Sequence, residues 1–204
     1  MNPPVFFVVG KPQHGKSTLR QALANATRLR GGSCSDVVYA LLAARRGVSV
    51  ESLRFLPKEE LRPTLVRFGD WLCGLGEPLE ETAVNPEFDE NIYRHPTALV
   101  RVLVLSGIHV VDGIRRRLEL QESKDRLEWI GLRTLTIFVD RPGVPEVKDN
   151  TEDLRDFADE VVLNDGTVAD LEVKAKELLS RRFPPSSDVP AIVTSAPVSV
   201  LRGA

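Results

Sequence analysis

The sequence predicts a three-layer α/β fold, with helices on both sides of a central parallel sheet. Three observations lead there. The run Val5–Val9 is continuously apolar, and 108–111 and 135–139 are nearly so; all three are rich in β-branched or aromatic residues, as strands buried on both faces are. Long stretches of helical spacing separate them, and parallel strands need such crossovers to return along the sheet. A glycine-bearing loop, residues 10–17, joins the first strand to the first helix.

In chain order, Gly10 ends the first strand. Helical patterns cover 16 to about 28, 36–46, about 58–75, 96–105, 114–130 and 168–182, with a short strand candidate at 161–163. The stretch from about 34 to 105 carries several helices and no convincing strand beyond a weak Val48-Ser49-Val50, and is expected as a helical insertion on one side of the sheet. Within it, Asn85-Pro86 reads as a cap with proline at the first helical position, and later Gly131 reads as a helix stop. The polar, Pro/Gly-rich segment from about 141 to 157 is expected as a lid. One domain therefore spans 1–182, followed by a Pro/Ser/Val-rich tail at 183–204 whose apolar pieces at 191–194 and 198–201 are expected to pack on the domain or on a partner subunit. A homodimer stays open on this reading.

The 204 residues carry 27 Lys+Arg against 29 Asp+Glu, a net charge of −2. That balance provides no basic field for a nucleic-acid polymer, so an anionic ligand must be held by a local cluster. Cys34 and Cys73 make no disulfide framework and no zinc spacing, which suits a reducing, cytoplasmic setting. No apolar run approaches the roughly twenty residues of a membrane span. His14, His95 and His109 are too dispersed to suggest a metal site on one element.

Residues 10–17, Gly-Lys-Pro-Gln-His-Gly-Lys-Ser, match the Walker A pattern G-x-x-x-x-G-K-[ST] at every fixed position. Here the amides of Gly10, Gln13, His14, Gly15, Lys16, Ser17 and Thr18 are candidates to wrap ATP phosphates at a helix amino end. Lys16 would bridge the β- and γ-phosphates, and the Ser17 hydroxyl would ligate Mg²⁺. Asp112, closing the run 108–111, is the candidate acidic partner for that metal, with a helix cap as the alternative. Asp140 ends the next strand and is the weaker candidate. No Asn-Lys-x-Asp or Asp-x-x-Gly element is present to make a GTPase, and the chain is too short for a motor or helicase.

Four stretches together resemble the phage deoxynucleoside monophosphate kinases, a branch of the P-loop nucleoside monophosphate kinases. They are the Walker A loop, Arg62-Pro63-Thr64-Leu65-Val66-Arg67-Phe68-Gly69-Asp70, Val110-Val111-Asp112-Gly113-Ile114-Arg115, and the stretch 158–167 ending Asn164-Asp165-Gly166-Thr167. Dephospho-coenzyme A kinases are similar in layout. The resemblance implies a P-loop kinase fold, ATP with Mg²⁺ as donor, and a (deoxy)nucleoside monophosphate as acceptor. It implies acceptor contacts at Asp36 and Asp70, a lid carrying Arg141 and Glu152, and an adenine-side loop at Asn164, Asp165, Gly166 and Thr167. The arginine after Asp112 stands one residue later than in the family, so Arg115, Arg116 and Arg117 share that role as candidates.

The residues support the same chemistry on their own. A phosphate acceptor is already charged and needs no general base; the difficulty is repulsion between two polyanions, relieved by guanidinium groups, a metal and exclusion of water. Arg62 and Arg115 are the candidate catalytic arginines beside Lys16, with Arg67 and Arg116 on the acceptor. Trp71 and Phe68 are candidates to stack on an acceptor base. Their helical spacing with Leu65, Leu72 and Leu75 also suits a core, the preferred reading for Phe68. For Asp36 the plain alternative is a helix cap formed by it or Ser35.

Overall fold

The computed structural model describes residues 2–79, Asn85, Asp89, 93–145 and 151–184. Residues 146–150 of the segment expected as a lid, Pro86 and the tail from 185 onward, with its apolar segments, lie outside the described residues. Five strands form one sheet: β1 (Val5–Val9), β2 (Arg30–Ser33), β3 (Ile108–Asp112), β4 (Thr134–Asp140) and β5 (Glu160–Leu163). All pairs are parallel and the order is β2-β3-β1-β4-β5. The expected three-layer α/β architecture is therefore met.

The central strand β1 shows how the layers arise. All five of its side chains are buried, and successive ones point to opposite faces. Phe6 and Val8 enter a core made with Leu19 and Leu23 of α1 (Lys16–Thr27) and Leu171, Ala175 and Leu178 of α7 (Val168–Arg182). Val5, Phe7 and Val9 face the other way. There they join a larger core filled by α2 (Cys34–Arg46), α3 (Val50–Arg54), α4 (Lys58–Leu72), α5 (Ala98–Leu105) and α6 (Arg117–Trp129). Burying each such side chain contributes about 1.5–3 kcal/mol. The helices between β2 and β3 thus collect on one face of the sheet.

Several boundaries differ from the sequence reading. Arg30–Ser33 is a strand that the Gly31-Gly32 pair concealed; its partner β3 makes it one. Val48-Ser49-Val50 is no strand, because Ser49 caps α3 and accepts from the Ser52 N–H at 3.1 Å. Helix α2 is capped by Ser33, which takes the Ser35 N–H at 3.3 Å, so neither Ser35 nor Asp36 is the cap. Helix α6 begins at Arg117 rather than 114, since Gly113 at φ +88° interrupts the chain after β3. Asp112 accordingly ends a strand and caps nothing. Gly131, at φ +81°, follows α6 as the expected stop. No helix among the described residues is long and apolar enough to cross a membrane.

Candidate active site

Parallel strands open a crevice at their carboxyl ends, and the loop after β1 lies there. Gly10 adopts φ +145° and Gly15 φ +91°; a Cβ on Gly10 would stand 2.6 Å from the Val139 carbonyl oxygen. On Gly15 a Cβ would fall onto the Asn164 side chain. The loop is therefore packed tightly from β4 and from the turn after β5, and Asn164 Nδ2 donates to the His14 carbonyl at 2.9 Å. Gln13 is exposed and left-handed at φ 64°. His14 is buried, and its Nδ1 accepts the Arg141 N–H at 3.1 Å, which sets the tautomer with the proton on Nε2. Lys16 folds back so that Nζ donates to the Lys11 carbonyl at 2.7 Å. Thr18 is half-buried two residues further into α1.

A cavity of about 190 Å³ opens beside this loop, lined by Lys16, Ser17, Ser33, Asp112, Arg115 and Thr151 among others. Ser33 and Asp112 stand side by side at the ends of β2 and β3. Asp112 is only 2% exposed and takes the Arg20 Nε–H at 3.1 Å. Asp140, closing β4, is held by Arg155 instead. No cluster of three or more metal-ligating side chains occurs among the described residues. Ser17 and Asp112 in one cavity nevertheless fit Mg²⁺, which takes one or two protein oxygens and completes its shell with water and phosphate.

A second cavity of about 520 Å³ adjoins the first, and Ser35, Arg62, Gly113 and Arg115 line both. Its apolar wall is made by Val38, Leu65, Val66 and Leu99. Its polar groups include two ion pairs: Asp36 with Arg54 at 2.8 Å, and Asp70 with Arg116, whose two guanidinium nitrogens reach the carboxylate at 2.8 and 3.3 Å. Of the acceptor candidates, Asp36, Arg62, Asp70, Arg115 and Arg116 are brought together here. Arg67 is exposed and lines neither cavity. Trp71 is 3% exposed in the core, its ring stacked on Phe68 at 6.0 Å with the Arg94 guanidinium 5.8 Å from the ring centroid, and it does not line the cavity.

No family model matches this chain, and no curated protein matches it. Among solved structures it is similar to a gluconokinase from Sinorhizobium meliloti 1021, with TM-score 0.48, 16% identity, and 88% of this chain covering 93% of that one. An APS kinase from Mycobacterium tuberculosis follows at TM-score 0.45 and 13% identity, with 87% and 97% covered. A sugar kinase from Janibacter sp. HTCC2649 gives 0.42 and 12%, with 88% and 95% covered.

The segment after β4 and the loop after β5 also border the site, through Thr151 and Asn164. Glu152 donates its backbone N–H to the Arg115 carbonyl at 2.9 Å and accepts the Arg117 N–H at 2.7 Å, tying this segment to the arginine stretch. In the loop after β5, Asp165 pairs with Lys174, Gly166 packs against Asp170, and Thr167 forms a capping box with Asp170 at the start of α7. Sequence reasoning missed Ser33, Tyr39, Cys34, Cys73 and Glu119, all lining one of the two cavities. Burial pushes both thiols up, with Glu119 adding to the shift, so neither is poised as a nucleophile.

Proposed function

We propose that this protein transfers the γ-phosphoryl group of ATP, with Mg²⁺, to deoxynucleoside monophosphates and yields the diphosphates. One observation carries the reading: the phosphate-loop cavity and the larger, half-apolar cavity meet at Arg62 and Arg115. A donor in one and an acceptor in the other would bring two polyanions together at two guanidinium groups, where the transferring charge develops. The larger volume falls in the range of small-ligand sites, with apolar walls for a flat base.

The division of labour follows from the residues. The loop amides and the amino end of α1 bind the triphosphate, and Lys16 leaves the Lys11 carbonyl to take a phosphate oxygen. Ser17 and Asp112 would hold Mg²⁺, which supplies charge neutralisation between the β- and γ-phosphates. Arg62 and Arg115 orient the acceptor phosphate, whose oxygen attacks without a protein base. The segment from Arg141 to Glu152 excludes water, so that ATP is not simply hydrolysed.

A coupled ADP-release assay over the four deoxynucleoside monophosphates, dephospho-coenzyme A and gluconate tests the proposal. Turnover with a deoxynucleoside monophosphate at least about tenfold above the ATP-only rate is expected; preference for the phosphate-free gluconate would refute it. Arg62→Ala and Arg115→Ala should each lower kcat/KM for the acceptor by about a hundredfold, with ATP affinity changed less than about threefold. Isothermal titration with a nonhydrolysable ATP analogue checks the second half. Asp112→Asn should shift the Mg²⁺ dependence of activity up by about tenfold, because the amide keeps shape but loses charge. An unchanged Mg²⁺ curve would leave Asp112 only its bond to Arg20.

A further inference from the structure

Glu119 belongs to none of the motifs, yet it is 2% exposed and lines the larger cavity. It is the third residue of α6, three after the N-cap Arg116. From there Oε2 accepts the Arg115 N–H at 3.1 Å, and the Arg116 amide adds to the field on the carboxyl. A glutamate reaching back this way is the acidic half of a capping box. The other half is missing, because an arginine at the N-cap has no side-chain acceptor for the Glu119 N–H, and the Arg116 guanidinium pairs with Asp70 instead. The irregular stretch between Gly113 and α6 has no strand ladder; Glu119 and Glu152 hold the Arg115 backbone, while Asp70 holds the Arg116 side chain.

The same place carries an unusual polar cost. Glu119 Oε1 and Arg115 Nη1 are both buried without a hydrogen-bond partner among the described residues. Leaving each unsatisfied costs about 1–3 kcal/mol, and an apolar residue at 119 would avoid the carboxyl's share. A fold built for stability alone gains nothing from that carboxyl, whereas a site that must aim two arginines does.

We propose that Glu119 is the positioning residue that fixes the backbone of Arg115 and Arg116, so that Arg115 meets the acceptor's phosphate at the junction of the two cavities. The inference rests on the acceptor reading above. Around the carboxyl stand Arg115, Cys34 from α2 and Cys73 beyond α4; burial pushes Glu119 up to about 7, against the opposing pull of the Arg115 and Arg116 amides. Its ionised form holds the Arg115 N–H by a charge-assisted bond and attracts the Arg116 amide, and its neutral form does both more weakly.

The test is steady-state kinetics on the full chain with ATP and the best deoxynucleoside monophosphate. Glu119→Met fills the volume without an oxygen and should lower acceptor kcat/KM by about thirtyfold, mostly through KM, with the ATP KM within about twofold. Glu119→Gln keeps an accepting oxygen and should restore activity to within about fivefold. Should the methionine variant fail to fold, the glutamine variant decides alone. Its acceptor kcat/KM should equal that of wild type at pH 6 and fall to about a fifth of it at pH 8.5, a ratio from which the acceptor's own ionisation cancels. A methionine variant with unchanged acceptor KM, or a flat ratio across that range, overturns the inference while leaving the kinase reading intact. No acceptor-dependent turnover by the wild type overturns both.

Discussion

Replacing Lys16 by alanine is expected to lower kcat about a thousandfold, or ~4 kcal/mol of transition-state stabilisation, while the melting temperature stays within a few degrees of wild type. The lysine contributes little to either core: it is half-buried at the first position of α1, and its amine is spent on a carbonyl of its own loop. On the proposed reading it acts on the charge that develops on the γ-phosphoryl oxygens during transfer, so kcat should suffer more than the KM for ATP. Single-turnover measurements separate these. A folded Lys16→Ala enzyme with near wild-type turnover would remove the loop from the reaction.

Gly10→Ala should be the most damaging single methyl in the chain. Two penalties coincide there: the backbone sits at φ +145°, and the new Cβ would lie 2.6 Å from the Val139 carbonyl oxygen in the adjoining strand. Strain and collision together should cost about 3 kcal/mol or more, lowering the melting temperature by about 6–12 °C in a domain of this size. Gly143→Ala is the control, since φ is +79° there with no atom within 4 Å of the added carbon. It carries strain without collision and should cost only about 1 kcal/mol. Equal melting temperatures for the two variants would mean that the loop yields without resistance.

The parts of the fold that announced themselves were those whose evidence is local. A continuously apolar β1, the fixed spacing of the phosphate loop and the run of α7 need no neighbour to be recognised. Strand β2 is the opposite case. Arg30-Gly31-Gly32-Ser33 looks like a turn, and only the approach of Ile108 and Leu103, within 3.1 Å of a Cβ at Gly32, explains why a glycine is required in that strand. The arrangement of α4 was readable by a stricter use of its period. Arg62, Leu65, Val66, Gly69, Asp70 and Cys73 line the large cavity, spaced alternately three and one apart as one helix face demands. Arg67 stands five residues from Arg62, about 140° around the helix, and Trp71 follows Phe68 and Leu72 into the core. Glu119 was hidden for another reason: with α6 expected to begin at 114, its place opposite the cap could not be seen.

The alternation of β1 between two cores sets a rule for how this chain can change over evolutionary time. Substitution within the strand exchanges one apolar residue for another and is absorbed by repacking. Insertion or deletion of one residue is a different event. It would send Phe6 and Val8 toward the α2–α6 side, send Phe7 and Val9 toward α1 and α7, and displace Gly10 from its seat against Val139, all at once. Descendants of this gene should therefore vary freely in the spelling of the strand and hardly at all in its length.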